Sequence, residues 1–372
     1  MIISFDEKRA LKVFRILDDC YRNGRGIFNE AVLPQDRWPS PLDSVEHANW
    51  LFVVAHFMRG GAINDDQFKW FYKLFEAYPQ IFNPSEVAKN WPPKKIEAAL
   101  RKMAPEINGQ TAKNAGTLSY KLQEHLINWH LNLNILHDCW QDNILNVFLN
   151  ANDFEQIFRR ADYRRSAAGF TGMRRKIFSL LTIWFQERNL IPFFPAPIPV
   201  DFHALRIMLA TEIIIIGDIE PIKINYRYPS LAGKKGLRVT EELVDSIAVW
   251  SQKFLAKIGL SHLIINPAAW ILSRELCPLS FQCQSRKKAT EYADPEKLET
   301  GHLLWPKGYN DPCLLCPLEK FCVNAIPSAP YYRWGLLVLF KRVKYLGKKS
   351  CSLVLPGMDE EMFIRGAKGR RK

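Results

Sequence analysis

Residues 169–181 read GFTGMRRKIFSLL. Two glycines flank an aromatic residue, two arginines and a lysine follow, and an apolar-periodic run begins at once. Upstream, DFEQIFRRADYRR (153–165) has helical spacing. The pattern therefore predicts two helices joined by a glycine-bearing turn, with the second starting near Arg174 or Arg175. A glycine turn lets the backbone N–H groups of a helix start approach an anion closely. Arg174 and Arg175 place cations where the helix macrodipole is already positive, and a nearby anion would relieve them. Taken alone, the stretch fits equally well an ordinary helical connection with surface arginines.

Working outward, the rest of the chain is also predicted to be mainly α-helical. DEKRALKVFRILDDCYRN stops at Gly24, VEHANWLFVVAHFM at Gly60-Gly61, and DDQFKWFYKLFEAY at Pro79. Pro84-Ser85 offers a cap for EVAKNW, and PPKKIEAALRKM opens on prolines, which a first helical turn tolerates. TAKNAGTLSYKLQEHLINWH, DNILNVFLN, RRKIFSLLTIWFQERN and TEELVDSIAVWSQKFLAKIG continue the theme. IPFFPAPIP (191–199) cannot be helix. Strand-like alternation is scarce, with GLLVLFKRVKYL the best candidate.

Downstream, PVDFHALRI (199–207) sets Asp201 after a Pro-Val pair and before an apolar-periodic helix, where Asp is a favoured cap. Still later comes CLLCPLEKFC (313–322), with Cys313, Cys316 and Cys322 in a C-x2-C-x5-C pattern. Five of the eight cysteines fall between Cys277 and Cys322. Without an apolar leader at the N-terminus, that clustering points to a metal centre in an intracellular protein rather than to disulfides. A fourth thiolate must come from Cys277 or Cys283, and zinc and an iron–sulfur cluster both remain open. No run approaches the roughly 18–20 apolar residues of a membrane span, so a soluble protein is expected. The net charge of +13 over 372 residues suits a polyanionic partner.

The C-x2-C-P-L-x3-C pattern resembles the [4Fe–4S] loop of the helix-hairpin-helix DNA glycosylases, the endonuclease III superfamily. Phe170, Gly172, Met173 and Lys176 are similar to that family's hairpin, and Val200-Asp201-x-His203-x-x-Arg206 to its catalytic segment. The order hairpin, aspartate, cysteine loop is the family's order. The resemblance implies a two-lobed helical glycosylase fold, with a barrel domain at 45–160, a hairpin and cluster domain at 1–44 plus 161–325, and a basic extension at 326–372. It implies Asp201 as the catalytic carboxylate and Lys176 as a Schiff-base lysine. Gly172, Met173, Arg174, Arg175 and Arg206 become contacts to double-stranded DNA. Cys277, Cys313, Cys316 and Cys322 become cluster ligands, with Cys283 the alternative first ligand and Zn2+ the alternative metal. A monomer in the cytoplasm, nucleoid or nucleus is expected. The chain also departs from the family. Arg174 stands at the hairpin's second glycine, RGGAIND (59–65) has no glutamine wedge, and about 30 residues separate the first cysteines from Cys313. A non-catalytic iron–sulfur nucleic-acid-binding protein, or a zinc-stabilised helical scaffold, is the alternative expectation.

Overall fold

The computed structural model describes residues 3–29, 31, 33, 35, 44–58, 64–108, 122–151, 153–217, 237–280, 283, 312–326, 336–337 and 339–342. The described chain is mainly helical, with short two-residue and three-residue strands. It packs as two units: Val32–Pro199, and Met1–Ala31 together with Val200–Lys372. The glycines of 59–63, the 284–311 insertion and the 343–372 tail lie outside the described residues.

The Val32–Pro199 unit is built on α2 (Ser44–Phe57), which packs against α3 (Asn64–Ala77), α6 (Leu122–Trp140) and α8 (Arg175–Glu187). Trp50 through Ala55 and Phe57 are all fully buried, so α2 carries no polar stripe and serves as the unit's axis. Aromatic side chains dominate the core. Trp50 donates its indole N–H to the Phe71 carbonyl at 3.2 Å, and Trp129 to Ile81 at 3.1 Å. Both large rings are thus buried without orphaning their one polar atom. α5 (Pro93–Asn108) opens on proline, as the sequence suggests, whereas α4 (Pro84–Asn90) starts earlier than expected, with Asn83 rather than Pro84-Ser85 as its cap. DNILNVFLN forms a 3-10 turn at Ile144–Phe148 rather than an α-helix.

In the other unit, α1 (Glu7–Arg22) starts at Asp6, whose carboxylate accepts from the Arg9 N–H at 2.9 Å. Ala10, Val13, Phe14, Leu17 and Cys20 face inward at helical spacing. α1 packs on α11 (His262–Ile271), which follows α10 (Glu241–Ile258). Gly259, at φ +68°, turns the chain between those two helices. β1 (Ile3–Phe5) pairs antiparallel with β2 (Ile214–Ile216), closing the unit across most of the chain.

Two expectations about boundaries shift. Residues 161–199, assigned by resemblance to the cluster domain, contribute Phe170, Met173, Phe178, Leu181 and Trp184 to the Val32–Pro199 core. The segment after 325 is not simply an extension. Phe340–Lys341 pairs with Asn324–Ala325, and Leu336–Leu337 with Leu237–Arg238. The strand-like GLLVLFK thus does form strands, though very short ones.

Candidate functional site

Two assemblies carry the predicted residues, one in each unit. The hairpin runs from α7 (Phe154–Ala161) to α8 in the Val32–Pro199 unit. Asp153 caps α7 through the Gln156 N–H at 2.9 Å. At the turn the chain folds back on itself, and the Phe170 N–H donates to the Ala161 carbonyl at 2.7 Å. Gly169 is required there: a Cβ would lie 2.5 Å from the Asp162 backbone. Gly172 sits at φ +80°, in the left-handed region that glycine tolerates. Arg174 stands at the N-cap of α8, and its side chain makes no capping hydrogen bond.

The basic residues of this turn divide. Arg174 is exposed and Lys176 half-buried on the first turn of α8. Arg175, expected to reach DNA, is instead buried, paired with Glu155 and stacked over Phe158 at 4.7 Å. Its guanidinium is spent inside the unit. Met173 is also buried, and its backbone N–H donates to the Phe170 carbonyl at 3.4 Å. Sequence reading missed Arg164 and Arg165. Both are partly exposed and gathered by the buried Asp162, which accepts from the Arg164 backbone N–H at 3.1 Å and from its Nε at 3.0 Å. Burial works against the Asp162 carboxylate, but these arginine contacts outweigh it and hold its pKa below the usual range. A double arginine ten residues before the RRK triplet was the available signal.

In the other unit, Asp201 is the N-cap of α9 (Phe202–Ala210). Its Oδ1 accepts from the His203 N–H at 2.8 Å and the Ala204 N–H at 3.0 Å. Oδ2 takes no hydrogen bond among the described residues, and the residue is only half-buried. His203 is held by Ser273, Nδ1 lying 3.1 Å from its Oγ. Arg206 corrects another expectation. It is 1% exposed, donating to the Ile326 carbonyl at 3.0 Å and the Ser273 carbonyl at 2.7 Å. It therefore cannot be a surface phosphate contact. It lies over the Phe202 ring at 4.6 Å, and its Nη2 has no hydrogen-bond partner among the described residues. Ser273 belongs to a π-turn, Leu272–Leu276, that extends α11. Such turns release carbonyls from the helical ladder, and here Arg206 collects one.

The cysteines meet at the other end of α9. Cys277 opens a 3-10 turn directly after the π-turn, and the 313–322 loop folds beside it. Burial pushes the Cys277 thiol up to about 12, with Arg206 pulling it down and Cys283 pushing it further. Burial likewise raises Cys322 to about 12 and Cys316 well above its ordinary value, aided by Cys283 and Cys277 respectively. Cys283 thus stands with Cys277, Cys316 and Cys322, whereas the Cys313 thiol donates to Ser280 Oγ at 3.1 Å. None of the described cysteines forms a disulfide. Among the described residues no three of these side chains converge tightly enough to hold a metal ion directly. The donor chemistry nevertheless fits a thiolate-bound centre. Soft sulfur donors from two segments lie near one another, and burial, reinforced by neighbouring thiols, disfavours ionisation of Cys277, Cys316 and Cys322 unless a cation compensates.

The cysteine loop is fastened to α9. The Val323 N–H donates to the Ala210 carbonyl at 2.8 Å, and Asn324 Nδ2 to Leu209 at 3.2 Å. Arg342 ties the loop down, donating to the Glu319 carbonyl at 2.7 Å and the Cys322 carbonyl at 3.2 Å. Nothing in the sequence marked Arg342 or Ser273 for these roles. No helix among the described residues is long and apolar enough to cross a membrane. No protein-family model, curated protein or solved structure matches the chain.

Proposed function

We propose that this chain is a helix-hairpin-helix DNA glycosylase that excises a damaged or modified base, with its cysteines holding a structural [4Fe–4S] centre. The observation that carries the reading is the two-ended anchoring of α9. Asp201 stands at its start with one carboxylate oxygen fixed by two backbone amides and the other unused. Arg206 and the cysteine loop fasten its middle and far end. A carboxylate so held is positioned without cost at the moment of reaction.

In this proposal duplex DNA is gripped through phosphates by the uncapped amides of α8 and by Arg164, Arg165 and Arg174. The target nucleotide leaves the stack. Asp201 then stabilises positive charge on the deoxyribose as the N-glycosidic bond breaks, as carboxylates do in glycoside cleavage. The nucleophile is water, or the Lys176 amine if the enzyme also cleaves the strand by β-elimination. The cysteine centre would be held by Cys277, Cys316 and Cys322 with Cys283 or Cys313, and when bound it supplies rigidity to α9 rather than a reacting atom. A monomer acting inside the cell completes the proposal.

Base release from duplexes carrying oxidised, alkylated, mismatched or naturally modified bases is the test, with Asp201→Asn as its control. Borohydride trapping, lost in Lys176→Ala, would establish the lyase route. A second reading, a non-catalytic binder, draws on one observation: capping alone gives Asp201 a sufficient structural role. Tight duplex binding without release of any base would favour it. A colourless protein with stoichiometric zinc after anaerobic preparation would replace the cluster with zinc.

A further inference from the structure

Beneath the hairpin, a single side chain binds both backbone groups of one turn residue. Asn132 is fully buried in α6. Its Oδ1 accepts from the Thr171 N–H at 2.8 Å, and its Nδ2 donates to the Thr171 carbonyl at 2.8 Å. The second Nδ2 hydrogen goes to His56 Nε2. His56 Nδ1 lies 2.7 Å from the Phe52 carbonyl, which can only accept, so Nδ1 carries the proton and Nε2 is the acceptor. The chain of donors and acceptors therefore has one consistent direction. Flipping the Asn132 amide would set N–H against N–H and oxygen against oxygen.

The turn is fixed on every side of that clamp. Gly169 lies against the Asp162 backbone, Phe170 is buried with its ring 4.8 Å from Phe52, and Gly172 takes its positive φ immediately after Thr171. These residues directly precede the uncapped start of α8. A loop that presents backbone amides to an anion loses affinity if it must be ordered on binding. We infer that Asn132, held by His56, is a positioning residue that presets the hairpin backbone for a phosphate of duplex DNA. Asn132 touches no ligand itself, and the inference rests on the DNA-binding reading above.

The experiment measures duplex binding across a salt series, together with hydrogen exchange at the Thr171 amide, for the full-length protein and for Asn132→Leu. Leucine keeps the same branched heavy-atom skeleton but can neither donate nor accept. In the wild type, the Thr171 amide is expected to exchange slowly without DNA. In the variant its protection is lost, affinity falls several-fold, and the slope of log Kobs against log[salt] drops by about one phosphate contact. A merely structural role would lower stability without moving that slope. A folded variant with wild-type affinity and slope overturns the inference. Fast exchange of the Thr171 amide in the wild type also overturns it, even if Asn132→Leu fails to fold. If the wild type binds no duplex, the proposed function fails, while the exchange measurement still judges the clamp.

Discussion

Replacing Asp201 by asparagine and by alanine separates its two roles. The cap is made by Oδ1 alone, which accepts from the His203 and Ala204 amides at 2.8 and 3.0 Å. Asparagine keeps that oxygen and caps helices as well as aspartate does. The charge it removes is worth about 0.3–1 kcal/mol against the helix dipole at most. Asp201→Asn is therefore expected to unfold within about 1 kcal/mol of the wild type. Alanine leaves both amides uncapped and costs about 0.5–2 kcal/mol. Chemistry should order the variants differently. Loss of a positioned group that stabilises transition-state charge slows reactions by about 10²–10³-fold, or roughly 3–4 kcal/mol of barrier. Asn and Ala should thus be equally poor in single-turnover base release while differing in urea midpoint. If Asp201→Asn releases base at the wild-type rate, the carboxylate is only a cap and the catalytic assignment is wrong. If Asn and Ala destabilise equally, the cap argument fails.

Other outcomes follow from single contacts. Arg206→Met would orphan the buried Ile326 and Ser273 carbonyls and lower stability by about 2–6 kcal/mol, read by denaturant unfolding. Gly169→Ala forces a methyl against unyielding backbone and should cost about 1–3 kcal/mol, loosening the Asp162–Phe170 bridge in hydrogen exchange. Burial holds the His262 pKa down at about 4, so its contribution is complete above its unfolded value and is lost as pH falls from about 6.5 toward 4. Titrating stability across that window should reveal about 3 kcal/mol of acid sensitivity that His262→Gln removes. Cys277→Ser, at the thiol that Cys316 and Cys322 both face, should abolish bound iron in protein prepared anaerobically, while Cys139→Ser, on the surface, leaves it unchanged.

The sequence made the helices readable because their ends are chemical. Asp6, Asp153, Asp201 and Thr240 all cap helices through side-chain oxygens, and Gly259 ends α10 in the left-handed region. The cap at Asp201 was legible for the same reason, and the start of α8 from the glycine-bearing turn before it. The fates of Arg175 and Arg206 were not. Periodicity shows which face of a helix is apolar, but it cannot show that a guanidinium crosses that face to meet Glu155 or two distant carbonyls. Asn132 was hidden likewise, since it interrupts an apolar run and its partner is backbone. Cys283 could not be separated from Cys277 by spacing, and in the fold the two stand together. The roles of Ser273 and Arg342 depend on partners more than 60 and about 20 residues away, respectively.

The pairing of β1 with β2 has a consequence for how the chain is made. Ile3 pairs with Ile216, so the first strand emerges from the ribosome long before its partner exists. At about 5–20 residues per second, it waits roughly ten to forty seconds. Residues 32–199 are contiguous and complete their core within that interval. The unit carrying Asp201 and the cysteines is completed only when synthesis passes residue 200, so α9 and the cysteine loop join the N-terminal segment last. Truncating the first 31 residues should therefore spare the folding of 32–199 and disable the other unit.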